Sequence, residues 1–258
     1  MSGIKDKIRE ALDAYERKDF VNALDMFEAL SDKSDEASYY LANLYRMGLG
    51  TEKNYAKAKQ LYENAIKKGN ADAKAGLALM YVTGQGVNRD VQLGHKMLED
   101  ARYEGSIVAI ENLGMMYESG IGVPKDLEKA LKYYRSAEEL GSESSTYNLG
   151  RIYYFGAGVE KNINLAYELL MKSKKKAESA YLLAMMNLKG EVGEKDTAKA
   201  YELLNYASDS GCSAAMVQFG LMLINGISCK KDELRGKKLI EKAAKKGNNK
   251  AKELLGIQ

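Results

Sequence analysis

The chain has 258 residues, of which 45% are hydrophobic and 29% charged, and its net charge is +3. This composition excludes global disorder, and the charge is too small to point to nucleic acid by itself. A single histidine, His95, excludes clustered imidazole metal sites and histidine-dependent nucleophilic triads.

The first residues, "MSGIKDKIREALDAYERKDF", are charged and amphipathic and lack the apolar segment of a secretory signal. No later run approaches the roughly 18 apolar residues of a membrane span. A cytoplasmic protein is the expectation, unless a leader has been removed. A helix is predicted over about residues 4 to 17. A second follows in "DFVNALDMFEAL", with Asp19 as its cap, a small residue at Ala23, and large ones at Met26 and Phe27.

From there the chain repeats. Gly48, Gly84, Gly120, Gly156, Gly190 and Gly226 recur at spacings of 36, 36, 36, 34 and 36. Tyr45, Tyr81, Tyr117 and Tyr153 stand three residues before the first four. Six residues after each glycine comes an Asn or Asp: Asn54, Asp90, Asp126, Asn162, Asp196 and Asp232. That residue suits a helix N-cap, because its side-chain oxygen accepts from backbone N–H groups that have no partner within the helix. The helix that follows, called B, carries small residues at positions 4 and 11 after the cap and large ones at 7 and 8, as in Ala130, Tyr133, Tyr134 and Ala137. These positions form one apolar stripe. Gly69, Gly105, Gly141, Gly211 and Gly247 then supply left-handed stops. The segment before each first glycine has its own helical spacing, as in "NADAKAGLALMYVTG", and is called A.

Each unit is therefore predicted to be an antiparallel helix pair that buries its apolar faces only by stacking on its neighbours. The G-x-G of "YVTGQGVNRD" is a turn and not a phosphate loop: a nucleotide fingerprint needs a preceding strand, and here a helix precedes the glycines in unit after unit. "NNKAKELLG" closes the array as a lone A helix. Cys212 and Cys229 would begin and follow one A helix about 20 Å apart, too far for a disulfide. Two reduced thiols suit a reducing compartment. His95 is expected on a helix surface.

The segment "LGMMYESGIGVPKDLEKALKYYRSAEELG", residues 113 to 141, resembles the Sel1-like repeat, whose pattern runs Leu-Gly, Tyr, Gly-x-Gly-Val, Asp, Lys-Ala, paired aromatics, Ala and a final Gly. Six units carry the resemblance over residues 36–247. Residues 1–35 are similar to a tetratricopeptide pair, and residues 248–258 form a capping helix. The resemblance implies an all-α fold, a right-handed superhelical α/α solenoid forming a single domain, with A helices lining the concave side. It also implies interaction work, as adaptor, scaffold or assembly factor. Units four, five and six depart from the pattern in "SKKKAES", "GEVGEKD" and "GISCKKD", and a change of superhelical pitch is expected near residues 174 to 193.

Helical geometry together with the resemblance assigns positions −1, −2, −5, −9 and −12, counted back from the first glycine, to the concave groove. Positions −3, −6, −7 and −10 are assigned to packing. The candidate protein-binding residues are Tyr39, Asn43, Arg46, Leu79, Glu111, Met115, Tyr147, Arg151, Tyr154, Phe155, Tyr181, Met185 and Leu188. Aromatics, Met and Arg are enriched at binding hot spots, so units four and five are the expected anchor for a peptide or protein segment. The competing expectation is that curvature buries those side chains against one another. The lysines at 67–68, 174–176 and 245–246 close B helices, where the helix dipole favours cations. No catalytic residue, metal site or cofactor is expected. The β-lactam-binding or β-lactam-hydrolysing relatives of the repeat family carry a cysteine pair in each repeat, which this chain lacks. The partner expected is protein or peptide, with no nucleic acid and no membrane insertion, and a monomer is favoured. A dedicated inhibitor, such as a bacterial immunity protein that wraps a toxin, is the alternative to an adaptor.

Overall fold

The computed structural model describes residues 2–257 and is all-α, with fifteen helices among those residues. The initial pair is α1 (Ser2–Glu16) and α2 (Phe20–Leu30). The A helices are α3 (Asp35–Met47), α5 (Ala71–Thr83), α7 (Ile107–Ser119), α9 (Glu143–Phe155), α11 (Ala177–Lys189) and α13 (Ser213–Asn225). The B helices are α4 (Tyr55–Lys67), α6 (Val91–Tyr103), α8 (Leu127–Glu139), α10 (Ile163–Lys172), α12 (Thr197–Asp209) and α14 (Glu233–Lys245). A final helix, α15 (Asn249–Leu255), has no B partner. Consecutive helices pack as antiparallel pairs. The backbone falls into two compact units that divide between Tyr133 and Tyr134, inside α8.

All six predicted caps do the work assigned to them. Asn54, Asp90, Asp126, Asn162, Asp196 and Asp232 each accept, through Oδ1, from the backbone N–H three residues on, at 2.8–3.0 Å. The backbone N–H of each cap also donates to the carbonyl of the residue at −3 of the preceding A helix, at 2.9–3.1 Å. The A-to-B loop is thus closed in the same way in every repeat, including those whose loop sequence departs from the pattern. Asp19 occupies the cap position of α2, but its side chain makes no capping bond. Four A helices carry serine or asparagine caps of their own, at Ser34, Asn70, Ser106 and Ser142, which the glycine-based reading did not single out.

The second glycine of the G-x-G marks the tightest point between repeats. A Cβ on Gly122, whose φ is +71°, would lie 2.2 Å from Val91 Cγ1 at the start of α6. One on Gly86 would lie 2.3 Å from Tyr55 Cβ at the start of α4. In repeat six the position is Ser228, which adopts the same left-handed backbone at φ 57° and whose Oγ donates to Thr197 Oγ1 at 2.7 Å at the start of α12. Serine thus keeps the seam closed with a hydrogen bond where glycine closes it by lacking a side chain.

In residues 2–133 the core runs from Ala11, Phe27 and Leu41 through Tyr62 and Met80 to Leu98 and Leu113. In residues 134–257 it comprises Leu170, Leu183 and Met186, then Leu204 and Phe219, then Met216 and Ile240. Small residues set the helix spacing. Ala58, Ala130, Ala166 and Ala200 are fully buried, as are Ala65, Ala101, Ala137, Ser173, Ala207 and Ala243. Gly220 and Gly236 bring two helix backbones together, and a Cβ on either would come within 2.6–2.8 Å of the other's carbonyl oxygen. Position −4 of each A helix is also buried throughout: Leu44, Met80, Met116, Ile152, Met186 and Met222. Helical spacing alone does not assign that position to packing.

The two residues missing from repeat four are removed from its B helix. Helix α10 has 10 residues where the other five B helices have 13, and it ends at Lys172. The predicted role of Lys174–Lys176 at a helix C-terminus is therefore corrected: these lysines lie beyond α10, and Lys176 is the N-cap residue of α11. Lys68 and Lys246 do follow the ends of their B helices, but their amines reach the turn after the preceding B helix and not their own last carbonyls. The first donates to the carbonyls of Ser31 and Asp32 at 3.2 and 2.9 Å, the second to that of Gly211 at 3.1 Å.

Candidate protein-binding face

The A-helix residues assigned to the groove do not share one environment. In residues 2–133, Met47 and Met115 are 45% and 50% exposed. Leu79 and Glu111 are half-buried. Tyr39 is half-buried against Tyr62 and Tyr40, with ring centroids 6.3 and 5.1 Å away. Its hydroxyl is pushed far above the ordinary tyrosine range, first of all by burial. Arg46 is fixed by its neighbours: its Nε donates to Tyr62 Oη at 3.2 Å and its Nη1 to Gln85 Oε1 at 3.3 Å.

Asn43 is a correction. It is buried, and its Oδ1 accepts from Tyr62 Oη at 2.6 Å. A tyrosine that is fully buried needs a partner for its hydroxyl, and Asn43 with Arg46 supplies it. Asn43 is therefore an internal bonding partner and not a surface contact.

In residues 134–257 the expected anchor divides into a buried part and an exposed part. Tyr154 is a second correction: it is 4% exposed and belongs to the core with Leu170, Leu182 and Leu183. Lys189 Nζ donates to its hydroxyl at 3.0 Å. The amines of Lys161 and Lys189 stand 5.6 and 5.5 Å from its ring centroid, and both pair with Glu191 at 3.9 and 3.8 Å. Burial is the main cause that raises the Tyr154 pKa. The physical reason is position −2, which lies over the B helix and not over the groove. Val82 at −2 of α5 is buried on Gly94, and Ile224 at −2 of α13 packs on Gly236.

Phe155, the next residue, is 62% exposed and meets Tyr154 edge-on at 4.8 Å. Tyr147 and Tyr181 are half-buried at the edge of the same core cluster, and burial raises the Tyr181 pKa. Arg151, Met185 and Leu188 are half-buried. In this region packing against the B helix takes Tyr154 into the core, while Phe155 stays in solvent at the end of α9.

His95 is half-buried instead of lying on the surface. Its ring meets Tyr117 edge-on at 6.0 Å, and its Nε2 is buried without a hydrogen-bond partner. Cys212 and Cys229 are both free thiols, and burial is the main cause that raises the Cys212 pKa. Among the described residues, no group of three or more His, Cys, Asp or Glu side chains could hold a metal ion. No helix among them is long and apolar enough to cross a membrane.

Among curated proteins no significant match is found. Three solved structures place the fold. A Sel1 repeat protein from Oxalobacter formigenes is 24% identical, with a TM-score of 0.72, over 93% of this chain and 99% of that one. A protective antigen of uropathogenic Escherichia coli with an SLR fold is 28% identical, with a TM-score of 0.62, over 96% of this chain and 55% of that one. An immunity protein from Pseudomonas aeruginosa is 19% identical, with a TM-score of 0.61, over 83% of each chain. The Sel1 repeat model matches residues 35–70, 71–106, 107–142, 144–175, 177–212 and 213–248. These are the six loops closed by cap and carbonyl, and with them the chain belongs to the Sel1 repeat family.

Proposed function

We propose that the protein is a non-catalytic interaction module that holds a peptide or protein segment on the A-helix face of α9 and α11. The observation that carries this reading is Phe155, a phenylalanine 62% exposed at the end of α9. The same position in the other repeats holds Met47, Thr83, Ser119, Lys189 and Asn225. An exposed aromatic on the helix pair that also carries half-buried Arg151, Tyr147, Tyr181 and Met185 has the composition of a hot spot with its surrounding rim. Tyr154 supports it from below. The free thiols suit a reducing compartment, the cytoplasm. Lys68 and Lys246 are occupied with backbone carbonyls, which removes them from any array of cations for nucleic acid.

Panning a displayed peptide library against the full chain tests this. Selected peptides are expected to bind near micromolar and to lose at least tenfold in affinity on Phe155→Ala, with thermal unfolding unchanged. Affinity unaffected by both Phe155→Ala and Met185→Ala overturns the assignment. A second reading, a dedicated inhibitor of one folded partner, is favoured by the fold shared with an immunity protein. It requires nanomolar affinity for an intact domain and none for linear peptides.

A further inference from the structure

Position −3 of the A helices sits in the seam between successive B helices, and three of its four tyrosines are held there by side chains of the flanking helices; the fourth, Tyr81, borders an open depression beside Lys59 and the loop at Gly84 and Gly86. The hydroxyl of Tyr45 accepts from Lys57 Nζ at 2.5 Å and donates to Glu28. Tyr117 stacks on Tyr133 at 5.6 Å, meets His95 edge-on, and has the Lys129 amine 5.0 Å from its ring. Tyr153 Oη accepts from Arg135 Nη2 at 2.7 Å. In α11 the residue at this position is Asn187. Its Nδ2 donates to the carbonyl of Leu183 at 2.7 Å, back along its own helix.

The seam between α10 and α12 is correspondingly open. A cleft of about 240 Å³ lies there, floored by Leu183 and Asn187 and walled by Tyr167, Met171, Leu203 and Tyr206. Its lining repeats the seat of the missing tyrosine. Lys199, also at the cleft, stands three residues after its cap, as Lys57 and Lys129 do after theirs. Tyr167 stands five after its cap, as His95 does. Met171 stands nine after its cap, as Glu28 and Arg135 do. The early end of α10 also leaves the seam uncovered. Tyr206 Oη reaches across to the carbonyl of Lys175 at 2.5 Å and holds one end of the cleft.

We propose that this cleft is a binding site for a tyrosine side chain supplied by a partner polypeptide. The ring enters between Met171 and Leu203, over the layer that covers buried Leu183. Sulfur and aromatic edges favour a ring at such a site, and the Lys199 amine lies where cations meet the ring in the closed seams. The lining carries Lys174 and Lys199 against one carboxylate, Glu202, and exposed Lys175 stands beside it, a positive balance that favours acidic residues flanking the tyrosine. This site lies on the B-helix side and is independent of Phe155.

The test uses full-length protein with 13C-methyl methionine and two probes, p-cresol and the peptide acetyl-Glu-Tyr-Glu-amide. Both are expected to shift the Met171 methyl resonance, assigned with Met171→Leu, and to leave that of Met47 in place. Expected Kd values are of millimolar order, tighter for the peptide and weakened by salt. Asn187→Tyr fills the seat from within and is expected to abolish both shifts while thermal stability holds or rises. Should that variant fail to fold, Lys199→Ala is expected to weaken the tyrosine peptide several-fold at unchanged thermal stability. The proposal is overturned if Met171 does not respond to p-cresol at about 10 mM, roughly ten times the expected Kd. It is overturned equally if acetyl-Glu-Leu-Glu-amide binds as well, or if p-cresol binds and the peptide does not. Self-association abolished by Tyr103→Ser would also overturn it, by assigning the cleft to the exposed Tyr103 of a second copy.

Discussion

The seam of Tyr117 and the seam of Asn187 share one loop closure and differ in contents and in the length of a flanking B helix. In both, the cap N–H closes the loop on the carbonyl of the −3 residue, at 2.9 Å from Asp126 and 3.1 Å from Asp196. In the first, a tyrosine fills the space between its B helices and is held by Tyr133, His95 and Lys129. In the second, an asparagine leaves a cleft lined by the corresponding positions. The backbone of a repeat is thus secured by caps and glycines, and the side chain at −3 together with the length of the flanking B helix shapes how these two seams are filled. A repeat protein can therefore open a site without altering its fold, because each seam is a nearly separate packing problem.

The largest effect that would probe this difference lies in the loops. Gly122→Ala places a methyl 2.2 Å from Val91 Cγ1 on a left-handed backbone and should cost about 2–4 kcal/mol in urea unfolding. Gly105→Ala, at φ +92° with nothing within 4 Å, should cost about half as much, through backbone strain alone. Equal losses at the two positions would show that the second glycine carries no packing role. Next comes the conversion of a closed seam into an open one. Tyr117→Asn should cost about 2–3 kcal/mol, somewhat below the range for a fully buried aromatic, and should create a p-cresol site between His95 and Tyr133. If stability falls and no site appears, the aromatic is not what keeps the closed seam shut.

The smallest effect is electrostatic. The Glu28 carboxyl is held below its ordinary value, chiefly by its hydrogen bond from Lys57 and then by that from Tyr45. A carboxylate lowered in the folded state stabilises above its unfolded value, about 4.3, and that contribution is lost as pH falls through the folded value. Glu28→Gln should therefore cost less than about 1 kcal/mol at neutral pH, since the pair is well exposed, and nothing in strong acid. At the open seam the equivalent residue is Met171, and Met171→Leu should show no such pH dependence. A Glu28→Gln cost that persists in acid would remove the ion pair from the account.

Much of this architecture was readable from spacing, because caps, stops and small residues act through local backbone geometry. Asn54, Gly84 and Ala130 do the same work in any repeat of this kind. The binding face was less readable. Position −2 looked solvent-facing on a helical wheel, yet Tyr154 is buried and Val82 lies on Gly94. A wheel knows one helix, and the B helix that covers position −2 belongs to the surroundings. Asn43 was misplaced for the same reason, since its partner Tyr62 arrives from the next helix.

Periodic glycines, caps and alanines alone were enough to establish the helix pairs, their number and the loop between them, since each of these depends on contacts within a few residues or on one recurring steric demand. Tertiary packing alone settled which aromatics are spent inside and which stay in water. It separated Phe155 from Tyr154, because burial depends on what neighbouring helices bring to a position and no local pattern encodes that.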